Sequence, residues 1–167
     1  MLYTHKISTG RDDIALEIMD TASECETDVI EKHIKWGDGF VVIYSVTDRH
    51  SLQRAQKLKE LLFNLKNPDF PVVLVANKCD LLSAREVTED DGQELASQLD
   101  CMKIELSVAE GYKGVSETMD ELLCQLKREH IKNLTTSSVG FEKNRSRLSN
   151  MKRAFKKRIA RSHSDTF

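Results

Sequence analysis

Residues 71–80, Pro-Val-Val-Leu-Val-Ala-Asn-Lys-Cys-Asp, narrow the possible folds more than any other stretch of the chain. The run Val72 to Ala76 contains no polar residue. A strand that is apolar on both parities needs cover on both faces, which is the situation inside a parallel sheet. In such sheets binding sites lie beyond the carboxyl ends of the strands. This strand opens at once into Asn77, Lys78 and Asp80. A carboxylate accepts two parallel hydrogen bonds from a donor–donor edge, which guanine presents through its N1–H and exocyclic amine and adenine does not. Asp80 is thus a candidate guanine reader. Lys78 can lay its methylene stem along a purine plane, and the Asn77 amide can tie neighbouring loops together while touching the ring. The same residues also suit an ordinary strand-to-helix turn capped by Asn and Asp.

The rest of the chain alternates strand and helix around this stretch. Residues 2–8 and 14–19 alternate in polarity about the turn residues Gly10-Arg-Asp-Asp13, which predicts a β-hairpin. Phe40-Val-Val-Ile-Tyr-Ser-Val46 is apolar enough to be a central strand. Leu52, Ala55, Leu58, Leu62 and Leu65 recur at helical spacing after Asp48 and Ser51, either of which can cap the helix start. Thr88-Glu-Asp-Asp91 has the form of a capping box with Asp in the Glu position. Residues 101–107 read as a last strand, and Val115, Met119, Leu122, Leu123 and Leu126 as the apolar face of a terminal helix. This order predicts an α/β fold, a doubly wound and mostly parallel sheet with one antiparallel edge hairpin.

Three stretches together resemble the Ras-like small GTPase superfamily over roughly residues 2–130. Asn77-Lys78-Cys79-Asp80 is similar to its base-recognition motif, and Glu105-Leu-Ser-Val-Ala109 resembles its second base loop. The resemblance implies that Ser107 braces the guanine-reading Asp and that backbone N–H groups at Ser107, Val108 and Ala109 meet the base oxygen. Asp20-Thr21-Ala22-Ser23-Glu24 resembles the switch motif, whose Asp holds Mg²⁺ through water. Asp20 would then be the metal-side residue, although it also suits a helix N-cap. Ser23 stands where the family has Gly, and Glu24 where it has the Gln that orients the attacking water; a carboxylate there repels a γ-phosphate, so hydrolysis is expected to be impaired or absent. The implied cofactors are GTP or GDP and Mg²⁺. The sequence holds no Gly-x-x-x-x-Gly-Lys-Ser/Thr and opens at what looks like the family's second strand, so a P-loop-NTPase-like fold without its first strand, phosphate loop and first helix is expected, with both cofactors bound weakly or not at all. A truncated product and a lineage that dispensed with phosphate binding both fit. Gly37-Asp38, Val42-Ile-Tyr-Ser-Val-Thr-Asp48 and Arg85-Glu-Val87 look most like the Rad, Gem and Rem branch. The Asp-Thr-Ala start of the switch motif instead keeps the estrogen-regulated and related atypical Ras proteins open.

Charge separates the chain into two parts, a Ras-like domain over 1–132 and a basic tail over 133–167. Of 25 Lys and Arg and 27 Asp and Glu, nine basic and one acidic residue fall in 143–167, leaving sixteen and twenty-six in 1–142, so an acidic body carries a tail of net +8 against −10. Leu148, Met151, Phe155 and Ile159 fall on one helical face among Lys152, Arg153, Lys156, Lys157 and Arg158, which predicts a basic amphipathic helix; a solvated disordered tail fits the same composition. An anionic membrane leaflet and calmodulin suit the helix, and the resembled branch points to both, with calcium-channel regulation by analogy. Arg161-Ser-His-Ser164 resembles a basophilic kinase site, with phosphorylated Ser164 a 14-3-3 ligand. The chain ends Ser-His-Ser-Asp-Thr-Phe167, without a prenylated cysteine motif. No run is long enough to span a membrane and the first residues lack a secretory pattern. The four cysteines are scattered, and read as reduced thiols. A cytoplasmic protein, peripheral at the inner face of the plasma membrane, without a nucleic-acid partner, is expected. No nucleophile or acid–base pair marks an unrelated doubly wound enzyme. Two functions remain, a guanine-nucleotide switch and a nucleotide-independent interaction scaffold working through the tail.

Overall fold

A computed structural model describes residues 1–8, 13–21, 27–66 and 70–139. The chain divides into two compact units, Met1–Leu126 and Lys127–Phe167. In the first, β1 (Leu2–Ser8), β2 (Asp13–Met19), α1 (Thr27–Trp36), β3 (Phe40–Ser45), α2 (Arg49–Leu65), β4 (Val72–Asn77), α3 (Glu89–Leu99) and β5 (Met102–Glu105) follow in order, and α4 (Lys113–Val139) begins there. Of the second unit, residues 127–139 are described, and they are helical.

The predicted parallel α/β core is present. Strands β3, β4 and β5 form a parallel sheet in that order, with Val42 beside Leu74 and Val75 beside Ile104. The unbroken apolar run sits in the middle, and Val72 to Ala76 are all buried. The two parities serve two cores. Val42, Tyr44, Leu74 and Ala76 pack against Leu52, Ala55 and Leu62 of α2 and Leu95, Ala96 and Leu99 of α3. On the opposite face Val73 and Val75 meet Leu106, Leu122 and Leu126. Each fully buried aliphatic side chain contributes roughly 1.5–3 kcal/mol, so this double cover is what makes a continuous apolar strand tenable.

The helix starts follow local capping chemistry. Asp48 is the N-cap of α2, its Oδ1 accepting from the backbone N–H of His50 at 2.8 Å and of Ser51 at 3.2 Å. The Thr88–Asp91 capping box forms in both directions, with Asp91 N–H donating to Thr88 Oγ1 and Thr88 N–H to Asp91 Oδ2. Those bonds from Thr88 also hold the Asp91 carboxyl below the usual range.

Four features depart from the sequence expectations. The hairpin forms with the register Leu2 opposite Met19, but β1 and β2 make a separate two-stranded sheet rather than an edge of the parallel one. Strand β3, expected to be central, is an edge strand paired to β4, and Ile43 is 60% exposed. Among the described residues no strand pairs with its outer edge. Helix α1 was not foreseen; Ile30 and Ile34 pack on the first core, with Asp28 in the first turn and His33 and Lys35 in the last. Its turn-and-a-half of apolar residues is too short to stand out from a polar background. On α4, Leu122 is buried as expected but Val115 is 39% exposed. The residues of the predicted helix stop, Asn67 and Pro68, lie outside the described residues. So do residues 140–167 of the tail, including Leu148, Met151, Lys152, Arg153, Phe155, Lys156, Lys157, Arg158, Ile159 and Ser164.

Candidate functional site

The parallel sheet delivers two loops to the same end of the core. Strand β4 ends at Asn77, and β5 ends at Glu105, two residues before Ser107. Backbone bonds lock the two strand ends together before any side chain is involved: Leu106 N–H donates to Ala76 O at 2.9 Å, and Cys79 N–H to Leu106 O at 3.3 Å. The end of β3 joins them through Val46 N–H to Asn77 O at 3.0 Å. Cys79 is therefore tied down by its backbone, and burial raises its thiol pKa above the usual value.

Asn77 sets the shape of the site. Its Oδ1 accepts from Lys78 N–H at 2.8 Å and from Val108 N–H at 3.3 Å, joining the two loops. Lys78 lies in the left-handed region at φ 64°, which costs a non-glycine residue about 1–2 kcal/mol and re-aims the chain within one residue. A short helical turn follows, with Leu81 N–H donating to Lys78 O and Leu82 N–H to Asp80 O, so that Asp80 stands exposed at its start. Ser107 is buried and caps the other loop, its Oγ accepting from Ala109 N–H at 3.2 Å.

These elements enclose a concavity of about 370 Å³ lined by Asn77, Lys78, Asp80, Ser107, Val108 and Ala109, the residues singled out from the sequence, together with Leu81. Leu81 was missed because an apolar residue after a polar motif carries no sign of its own. The volume falls within the roughly 300–1,000 Å³ typical of small-molecule sites. Two details differ from what the resemblance implied. Among the described residues no hydrogen bond joins Ser107 to Asp80; the serine hydroxyl serves its own loop. The N–H groups of Val108 and Ala109 are engaged by Asn77 Oδ1 and Ser107 Oγ, so an incoming purine oxygen must share them or displace a side chain.

The concavity fits the base end of a nucleotide: an exposed carboxylate, a flanking Lys and apolar walls at Leu81 and Val108. Its fit to phosphates and a metal is poorer. Asp20 lies at the end of β2, exposed, with its backbone N–H on Met1 O and its backbone O accepting from the Met1 amino group. No contact brings it to the concavity among the described residues, and none of their His, Cys, Asp and Glu side chains gather in groups of three that could hold an ion. Thr21 is described and exposed, whereas Ala22, Ser23 and Glu24 lie outside the described residues. No helix among the described residues is long and apolar enough to cross a membrane.

Comparison with known proteins identifies the family. The sequence model of the Ras family matches residues 2–128. The chain is 32% identical over 160 residues to the human Ras-related and estrogen-regulated growth inhibitor, covering 95% of this chain and 77% of that protein. It is 36% identical over 129 residues to the mouse GTP-binding protein Rit2, covering 76% and 59%, and 33% identical over 159 residues to the zebrafish Ras-like protein family member 11B, covering 88% and 64%. Ras-family proteins in general bind GTP or GDP with Mg²⁺. The chain belongs to the Ras family of small GTPase signalling proteins.

Proposed function

We propose that this chain recognises guanine nucleotides through the loops after β4 and β5, and that it acts as a signalling regulator with impaired or absent GTP hydrolysis. The observation that carries the reading is the Asn77 bridge, which brings Asp80 and Val108 to one concavity of about 370 Å³. Asp80 reads N1–H and the exocyclic amine, Lys78 and Leu81 flank the ring, and Asn77 holds the frame. Asp20 is the residue for a water-bound Mg²⁺ and Thr21 to Glu24 the switch. Residues 1–167 hold no Gly-x-x-x-x-Gly-Lys-Ser/Thr, so within them a nucleotide is held by its base, and Glu24 disfavours the attacking water. The sequence likeness to Rad, Gem and Rem and the 32% identity to the estrogen-regulated growth inhibitor support two different branches.

Titration with a fluorescent guanine nucleotide, with and without Mg²⁺ and with GDP or ADP as competitor, tests the proposal. GDP is expected to compete better than ADP. Asp80→Asn should remove about 1–3 kcal/mol of that discrimination, the worth of hydrogen bonds to a charged acceptor. Equal competition by both nucleotides in the unmodified chain would overturn it.

The charge imbalance favours a second reading, an interaction scaffold whose basic tail meets an anionic membrane leaflet, calmodulin or, after Ser164 phosphorylation, 14-3-3. It implies a cytoplasmic protein peripheral at the plasma membrane. Flotation with phosphatidylserine vesicles should show binding that is lost when residues 143–167 are deleted; binding that survives deletion counts against it.

A further inference from the structure

The turn that carries Asp80 does not end in solvent. From Lys78 it winds through Leu82–Ala84 and closes at Arg85, whose N–H donates back to Leu82 O at 3.3 Å. The Arg85 guanidinium then reaches across to Glu105, with Nη2 on Oε2 at 2.9 Å and Nη1 on Oε1 at 3.5 Å. Glu105 is the last residue of β5, two residues before Ser107. Lys103 donates to the same carboxylate at 3.0 Å and to Glu89 O at 3.3 Å. The side chains of Arg85, Glu105 and Lys103 are 19%, 24% and 11% exposed, so the cluster is largely out of water, unlike the Arg54–Asp48 pair at 51% and 40%. The bond from Arg85 holds the Glu105 carboxyl below its usual range. The two loops of the concavity are therefore tied twice, by Asn77 and by the Arg85–Glu105 pair.

A fork-to-fork pair fixes direction as well as distance. That matters for Asp80, because accepting two parallel hydrogen bonds from a purine edge requires its carboxylate to keep a set angle to the opposite loop. A displacement of about 1 Å at a supporting contact is enough to spoil such geometry. The bond to the exocyclic amine is exposed to this tilt, while a single bond to N1–H survives it by rotation. We propose that the Arg85–Glu105 pair is a positioning device for base recognition, setting the two site loops so that Asp80 selects a purine carrying the 2-amino group.

This rests on the base-site reading above, and the experiment separates the two. GDP and IDP differ only in the 2-amino group, so their affinity ratio reports on that one bond. The ratio is measured by competition against a fluorescent guanine nucleotide for the unmodified 167-residue chain and for Glu105→Gln, Arg85→Met, Arg85→Lys and the control Arg54→Met. The unmodified chain and the control should prefer GDP. Glu105→Gln and Arg85→Met should lower the GDP/IDP ratio about tenfold, equivalent to about 1.4 kcal/mol, and Arg85→Lys, which keeps the charge and one donor, should fall between. General destabilisation reduces the folded fraction for both nucleotides alike and leaves the ratio untouched, so circular dichroism and the ratio together distinguish damage from mispositioning. A preference for GDP in the unmodified chain that persists in Glu105→Gln and Arg85→Met overturns the positioning role alone. No preference in the unmodified chain overturns the base-site reading and this inference with it.

Discussion

The hairpin β1–β2 and the parallel sheet β3–β4–β5 show how differently one chain can support its strands. The hairpin strands, seven residues each, alternate in polarity. In β4 the six residues from Val72 to Asn77 are apolar until the last. An alternating strand asks for one covered face, a continuous one for two. The sheet receives both, and Val73 and Leu74 are wholly buried. The hairpin receives little: Tyr3 and Ile18, opposite each other in the register, are 50% and 40% exposed. Two-stranded hairpins are marginal without further packing. The two loops of the concavity therefore grow from the doubly covered sheet, and Asp20 from the weakly covered hairpin.

The most severe way to probe this contrast is to cut a cavity on each side. Leu74→Ala in β4 should lower unfolding stability by about 2–5 kcal/mol, as for other buried leucines, whereas Leu16→Ala in β2 should cost less than about 1 kcal/mol. Urea denaturation measures both, and equal losses would show that the hairpin is as well packed as the sheet. A finer probe is the approach of α3 to β3. A Cβ at Gly92 would run into the Tyr44 hydroxyl, so Gly92→Ala should cost about 1–3 kcal/mol. Burial, reinforced by the Glu105 carboxylate, raises that phenol's pKa to about 12, so it is the neutral hydroxyl that blocks the space. Tyr44→Phe in the same chain should recover part of the loss; no recovery would locate the strain elsewhere.

A functional version compares the two acids. Asp80→Ala should erase about 1–3 kcal/mol of guanine preference, while Asp20→Ala should leave the preference unchanged and alter only the response to Mg²⁺. The smallest expected effect is electrostatic. Because the Glu105 pKa is lowered in the folded chain, the ionised carboxylate stabilises the fold above its unfolded pKa of about 4.3, and this is lost as pH falls through the lower folded value. Arg85→Met should therefore reduce unfolding stability at pH 7, read by urea denaturation, by on the order of 1 kcal/mol, discounted for partial exposure. At a pH below the folded value the difference should close. A constant difference across that range would mean that Arg85 acts through packing alone.

What could be read in advance follows the same division. Val72 to Ala76 forced a buried parallel strand, and the polar residues at its end could only sit at the carboxyl edge, so the central strand and the Asn77, Lys78 and Asp80 side of the concavity were legible from one decapeptide, whereas Ser107, Val108 and Ala109 needed the resemblance and Leu81 carried no signal. The Thr88 and Asp48 caps were legible because their chemistry is local. Pairings between distant residues were not. Arg85 and Glu105 are twenty positions apart, and no spacing rule links them. Gly92 reads as a weak spot in a helix until Tyr44 is seen beside it. The edge position of β3 was also hidden, since an apolar strand describes the cover it needs and not the cover it has.

The left-handed turn at Lys78 has a kinetic consequence. Asn77 and the hydrogen-bonded turn through Ala84 hold that conformation by contacts within the chain itself, so the unfavourable backbone step is taken once, during folding. On the proposed reading, a purine would meet a loop whose backbone is already set, and changes in these side chains should register in its residence time rather than in its arrival.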